Sequence, residues 1–285
     1  VHEEMVARFN AAKQIAVGAF GGSLSSLEPA ELGGMVVKEA IARAGVDPKQ
    51  LTFASVGNCI PTEVRYPYVA RVATIQGGMS MDSTAFAVNR LCGSAQQAIV
   101  NVAQAILLGD AEFGLGGGVE VMSRGAYLLP ALRSGARMGD TQAIDAMVAV
   151  LTDPFGVGHM GVTAENLAAK HGITREEQDA FAVESQARAA KAIAEGRFKS
   201  QIAPITLKTR KGEVVFDTDE HPKAGTTMET LAKMRPAFKK DGSVTAGNAS
   251  GINDGAAALV GASAGKAKDL GRTVRARIVS YASAG

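Results

Sequence analysis

The chain has 285 residues, of which 46% are hydrophobic and 20% charged, and a formal net charge of +2. That is enough for one large domain or two small ones with a sizeable buried core. No apolar stretch approaches the ~20 residues of a membrane span, no leader pattern is read at the start, and Cys59 and Cys92 are too few for a disulfide framework, so a cytoplasmic location is expected.

Helical and extended patterns alternate over the first 120 residues, which predicts an α/β domain with a largely parallel sheet. Residues 29–44 place Leu32, Val36, Ala40 and Ala44 on one helical face, and Gly45 ends that helix. Residues 51–56 read as a strand, 67–76 as a helix and 84–88 as a buried strand. A helix over 93–108 carries the apolar face Ala95, Ala98, Ile99, Val102 and Ile106, stops at Gly109, and precedes a strand over 112–116. The polar, charged residues 1–15 leave a first strand doubtful.

After Glu120 the texture turns irregular, with Pro130, Gly135, Gly139, Pro154, Gly156 and Gly158, too long for an ordinary connection and readable as an inserted subdomain. Within it Thr163 is a candidate cap for a short helix ending at Gly172, and Thr174 with Glu177 forms a capping box for a helix reaching Gly196. The small-residue run from Thr245 to Gly255 and the apolar residues 256–260 predict a return to the sheet, followed by a helix over 263–270 and a strand over 274–280.

The strongest chemical signal is Asn89-Arg-Leu-Cys-Gly-Ser94, which sets Cys92 between a strand and a helix start. Unpaired N–H groups and the positive end of the helix favour a thiolate there and supply donors for a developing oxyanion. An isolated Cys is as readily a small inert hydrophobe, and Cys59, with no helix start beside it in sequence, is read that way. Residues 187–240 hold 12 Lys and Arg against 6 Asp and Glu, a surplus suited to a phosphorylated ligand or simply to a solvated face.

Three separated motifs now point the same way. Asn89-Arg-Leu-Cys-Gly-Ser94 resembles the acyl-accepting cysteine motif of the thiolases, Gly116-Gly-Gly-Val-Glu-Val-Met-Ser123 is similar to their glycine-rich strand end, and Gly247-Asn-Ala-Ser-Gly-Ile-Asn-Asp-Gly255 matches their small-residue loop. Further likeness runs through Gly18-Ala-Phe-Gly-Gly-Ser23, Gly135-Ala-Arg-Met-Gly-Asp140, His159-Met-Gly-Val-Thr-Ala-Glu-Asn166, Phe216-Asp-Thr-Asp-Glu220 and Arg235-Pro-Ala-Phe238. The resemblance covers nearly all of the chain from Val17, and is closest to bacterial acetyl-CoA acetyltransferases and β-ketothiolases.

The resemblance implies an α/β, thiolase-like fold: a layered αβα N-terminal half over 1–120 and 247–272, an inserted α+β loop subdomain over 121–246 that binds coenzyme A, and the start of a C-terminal half over 273–285. It implies an acyltransferase that joins two acetyl-CoA molecules or cleaves a 3-ketoacyl-CoA through an acyl group on Cys92. Carried over residue by residue, His159 and Met160 would line the pantetheine channel, Ser250 would contact a pantetheine amide, and Lys223 would face the nucleotide phosphates. Coenzyme A is then a substrate, no cofactor or metal is implied, and a homodimer or homotetramer is expected, with residues 121–140 similar to the tetramer contact of some members.

The departures bear on activity. The family's second half, with its Asn-Glu-Ala-Phe segment, its Gly-His-Pro histidine and its second cysteine, has no match here, so the sequence reads as a fragment. His221-Pro222 superficially resembles the histidine motif, but its neighbours match the loop subdomain, and it is rejected as the base. Without that base, acylation of Cys92 is expected to be slow, since such groups contribute ~10²–10⁴-fold each. Other readings fare worse: Gly114-Leu-Gly-Gly-Gly-Val119 lacks the last glycine of a dinucleotide fingerprint, and the basic stretch has too few aromatics for nucleic acid. A longer-chain degradative thiolase and a non-catalytic scaffold stay open as alternatives.

Overall fold

A computed structural model describes residues 8–210, 212–271 and 273–284. In chain order the elements are β1 (Arg8–Gln14), β2 (Gly18–Ala19), α1 (Pro29–Ala44), β3 (Phe53–Gly57), α2 (Val69–Gln76), β4 (Thr84–Val88), α3 (Ser94–Leu108) and β5 (Phe113–Val121). There follow β6 (Tyr127–Leu128), β7 (Ile144–Asp145), α4 (Ala146–Val150), α5 (Met160–His171), α6 (Arg175–Ala194), β8 (Ile205–Thr209), β9 (Gly212–Phe216) and α7 (Met228–Ala232). The chain then returns through β10 (Asn253–Ala262), α8 (Ala264–Asp269) and β11 (Ala276–Arg277).

The main sheet runs β11-β1-β10-β5-β3-β4, with β2 paired to β10. The parallel pairings are those of β3 with β4 and β5; β10 pairs antiparallel with β5 and β1, so the sheet is mixed rather than largely parallel. The long segment between Val121 and Asn253 gives the reason: a chain returning after it is free of the right-handed crossover that βαβ units impose, and enters the sheet from the opposite end.

Two helical layers clasp the sheet because β5 offers each face a different surface. Its odd positions Phe113, Leu115, Val119 and Val121 join the core with Leu32, Val36, Val37 and Ala40 of α1. Its even positions Gly114, Gly116 and Gly118 meet α3, where a methyl group built on Gly116 would lie 3.0 Å from the Ile99 Cα. A strand alternates its faces, so the glycine run is a smooth track on which α3 lies close to the backbone. The sequence reading ended this strand at residue 116; the glycines that look like loop extend it to Val121.

Several expectations need correction. The doubtful first strand forms over Arg8–Gln14, held by pairing to β10 rather than by its own apolarity, while residues 1–7 lie outside the described residues. β4 is not buried: it pairs β3 alone at the sheet's edge, and Thr84 and Phe86 to Ala87 include solvent-exposed positions. The last strand shrinks from 274–280 to Ala276–Arg277, paired with β1. The stretch Leu91–Leu108 is also more apolar than first read, long enough by composition for a minimal span. Its helix of 15 residues is about 22 Å long, short of a hydrocarbon core of ~30 Å, and its Ala98, Val102 and Ile106 are buried in the fold.

Helix α5 begins earlier than expected. Its cap is His159, whose Nδ1 accepts the Gly161 N–H at 3.1 Å, and Thr163 lies inside the helix. A ring nitrogen at the position before the first turn satisfies an otherwise unpaired donor as a hydroxyl would. The capping box of α6 forms as read: Thr174 Oγ1 accepts the Glu177 N–H at 3.1 Å and Glu177 Oε2 accepts the Thr174 N–H at 2.8 Å.

Candidate active site

The loops that carry the motifs gather at one end of the sheet, beyond the carboxyl ends of β3, β4 and β5 and the amino end of antiparallel β10. This is the end at which open α/β sheets bind ligands. Cys92 stands there between β4 and α3, exposed to solvent. Its turn is tightly specified. Asn89 Oδ1 accepts the Leu91 N–H at 3.0 Å, the Gly93 N–H reaches Arg90 O at 3.1 Å, and the Ser94 N–H reaches Leu91 O at 3.0 Å.

Leu91, immediately before Cys92, has φ +49°, the one non-glycine residue with positive φ among the described residues. An L-residue adopts that conformation at a cost of about 1–2 kcal/mol. Such strain is what a sharp strand-to-helix turn demands, and it projects the following residue outward. The Gly93 and Ser94 amides are committed to the turn, and Cys92 stands just before the amino end of the 15-residue α3.

Below the turn lies a network that sequence reading missed. Glu120, at the end of β5, is half-buried, and its Oε1 accepts Asn58 Nδ2 at 2.9 Å and the Ile60 N–H at 3.2 Å while Oε2 accepts the Cys59 N–H at 2.8 Å. Burial drives its carboxyl above the ordinary range, with those hydrogen bonds pulling the other way. A single carboxylate after an unbroken run of small and apolar residues was the available signal. Cys59, read as a structural residue, has directional contacts that its sequence neighbours do not announce: its Sγ lies 3.0 Å from Leu91 O and 3.2 Å from Ser94 Oγ, beneath the Cys92 turn. Burial pushes its thiol up, so it stays protonated.

The remaining motif loops are laced by carboxylates, those of Asp254, Glu165 and Asp179 buried and that of Glu220 half-buried. Asp254 is fully buried and accepts the Ser123 N–H at 2.9 Å and Oγ–H at 2.6 Å, and Ser123 Oγ in turn accepts the Gly21 N–H at 2.8 Å. Glu220 Oε2 accepts the Ala19 N–H at 2.9 Å and Glu220 Oε1 the Ser23 Oγ–H at 2.5 Å. Glu165 of α5 takes the Ser243 and Val244 N–H groups at 2.9 and 2.8 Å, and Asn248 Nδ2 reaches Asp179 of α6 at 2.9 Å.

These ties settle where the other candidates fall. His159 is half-buried and stacks on Phe238 with ring centroids 4.9 Å apart, and Met160 beside it is exposed. Ser250 is exposed on the loop that Glu165 and Asp179 fasten to α5 and α6. His221 lies against Gly251, where an added methyl would meet its Cε1 at 2.0 Å, so the segment bearing exposed Lys223 abuts the Ser250 loop. His171 closes α5, and His2 lies outside the described residues. The structure thus groups the segments of Met160, Ser250 and Lys223, and sets Cys92 at the same end of the sheet, with no direct bond from Cys92 to any of them among the described residues.

Residues 10–265 match the family described as thiolase, N-terminal domain. This chain belongs to the thiolase family. It is 52% identical over 271 residues to the beta-ketothiolase BktB of Cupriavidus necator, covering 95% of this chain and 69% of that one. It is 50% identical over 277 residues to the acetyl-CoA acetyltransferase of Pseudomonas aeruginosa, covering 96% and 70%. Among solved structures, the Bacillus anthracis acetyl-CoA acetyltransferase superposes with a TM-score of 0.94 at 44% identity, over 98% of this thiolase and 71% of that chain. The human mitochondrial 3-ketoacyl-CoA thiolase gives 0.93 at 40% identity, over 97% and 70%. The thiolase fold expected from the motifs is therefore present, over about 70% of its relatives' length.

Proposed function

We propose that this thiolase is an acyltransferase that forms or cleaves a 3-ketoacyl-CoA, with acetyl-CoA as acyl donor and Cys92 as acyl acceptor. The observation that carries the reading is the exposed Cys92 thiol on a strained turn at the positive end of α3. The relatives named acetyl-CoA acetyltransferase support acetyl-CoA as the substrate. In the first half-reaction Cys92 Sγ bonds to the thioester carbonyl carbon, the carbon–sulfur bond to coenzyme A breaks, and coenzyme A leaves as a thiolate that takes up a proton. In the second, a carbon nucleophile derived from another acyl-CoA releases the acyl group from Cys92.

His159, Met160, Ser250 and Lys223 are proposed to hold coenzyme A. The stacked ring of His159 and the exposed Met160 side chain offer an apolar wall to a pantetheine chain, Ser250 a hydroxyl, and Lys223 a cation for phosphate. Exposed Tyr127, Leu128, Leu129 and Leu132 support assembly into dimers or tetramers through residues 121–140.

Intact-protein mass spectrometry after incubation with acetyl-CoA tests the reading. An acetyl adduct on the native chain and none on Cys92→Ala supports it. No adduct on either would favour a non-catalytic thiolase-fold protein, and a preference for longer acyl-CoA donors would move it to the longer-chain degradative alternative.

A further inference from the structure

Cys59 touches the Cys92 turn at both of its ends. Its carbonyl oxygen accepts Asn89 Nδ2 at 3.2 Å, and the same Asn89 fixes the Leu91 N–H through Oδ1. Its thiol lies 3.0 Å from the Leu91 carbonyl oxygen, which also accepts the Ser94 Oγ–H at 2.6 Å and the Ser94 N–H at 3.0 Å. Cys59 is itself anchored from below, by its N–H to Glu120. A half-buried Cys acting as a small hydrophobe has no need of such directional contacts.

The geometry has a mechanical meaning. The peptide joining Leu91 to Cys92 is entered from a left-handed residue, a conformation that any side chain with a Cβ tends to leave. Rotating that peptide would relieve Leu91 and turn the Cys92 backbone away from the start of α3. The donors gathered on the Leu91 carbonyl resist the rotation, and the thiol of Cys59 is the one among them that comes from outside the turn.

We propose that Cys59 is a positioning residue for Cys92, its S–H holding the Leu91 carbonyl inward so that the nucleophile stays at the amino end of α3. This rests on the reading of Cys92 as acyl acceptor. The test compares Cys59→Ala and Cys59→Ser with the native chain by two measurements, the rate of Cys92 alkylation by iodoacetamide resolved by peptide mapping, and the rate of Cys92 acetylation across acetyl-CoA concentrations. Cys59→Ala is expected to slow both by roughly three- to tenfold, the loss of about one hydrogen bond, with the half-saturating acetyl-CoA concentration unchanged. Cys59→Ser, which keeps a donor, is expected to stay within about twofold of native.

Native rates in Cys59→Ala, or a serine variant as slow as the alanine one, would overturn the proposal. Failure of the native chain to acetylate would sink the acyl-acceptor reading alone, because alkylation still reports on the turn. Should Cys59→Ala not fold by circular dichroism, Ser94→Ala removes the neighbouring donor to the same carbonyl; slower alkylation of Cys92 would then support restraint of that carbonyl, and a native rate would overturn it.

Discussion

A methyl group built on Gly57, the last residue of β3, would lie 2.5 Å from the amide nitrogen of Ala95 in the first turn of α3. No backbone atom tolerates that approach, so the helix that begins beside Cys92 is seated directly on the β3 main chain. Gly57→Ala must lift the amino end of α3, at a cost of about 1–3 kcal/mol as for overpacking elsewhere. Urea denaturation is expected to show that loss, and Cys92 acetylation to fall tenfold or more. Gly265→Ala serves as the contrast: nothing lies within 4 Å of its added methyl, and in helix α8 the change is expected to add about 0.5–1 kcal/mol without altering Cys92.

Much of this was legible in the sequence wherever one local signal sufficed. Gly45 ends α1 with φ +60°, Thr174 and Glu177 cap α6 reciprocally, and α8 starts where the sequence places a helix, just after Ser263. The position of Cys92 followed from a strand, a turn and a helix in succession. What escaped is what depends on distant chain. Cys59 lies 32 residues from Leu91 and Glu120 lies 61 from Cys59, so neither spacing carries information about contact. The exposure of β4 is likewise a property of its place at the sheet's edge, since Thr84-Ala-Phe-Ala-Val88 would read identically in a central strand. A histidine cap has no established sequence signature, and Thr163 was the nearer fit to the rule.

Asp254 holds the second prediction. Its fully buried carboxylate satisfies both the N–H and the hydroxyl of Ser123, which passes the link on to Gly21. Asp254→Ala leaves the half-buried Ser123 N–H and hydroxyl without their acceptor and is expected to cost about 1–3 kcal/mol in denaturant unfolding. Asp254→Asn keeps one acceptor oxygen and is expected to lose less. Equal losses in the two would show that volume rather than hydrogen bonding sets the effect.

The cap of α5 supplies a third. His159 accepts the Gly161 N–H and stacks on Phe238, so His159→Ala removes a cap and a ring contact at once. A loss of about 1–2 kcal/mol in thermal or urea unfolding is expected. His159→Asn restores the cap without the ring and is expected to recover roughly half. If coenzyme A runs past the ring as proposed, the alanine variant also raises the half-saturating acetyl-CoA concentration, and His159→Asn does not restore it.

Acid should loosen the loops before it melts the sheet. Burial pushes the Glu220 and Glu165 carboxyls up, but the opposing hydrogen bonds outweigh it: Ser23 and Ala19 hold Glu220, Ser243 and Val244 hold Glu165, and Lys223 and Lys239 add their charges. Both groups end below the ordinary value of 4.5. The folded state therefore binds these two protons less readily than the unfolded one, so their contribution to stability is complete above pH 4.5 and is lost as the pH falls through the lower folded values. Glu120 has the opposite sign: its folded value is raised by burial, so its ionisation costs stability as the pH rises above 4.5. Unfolding followed from pH 6 to 3 should show stability declining below 4.5 in the native chain, with the decline reduced in Glu220→Gln and Glu165→Gln. Hydrogen exchange across the same range should rise first in residues 18–23 and 243–250, the segments these carboxylates pin. Simultaneous exchange of the core strand β5 would show instead that the sheet and its loops unfold as one unit.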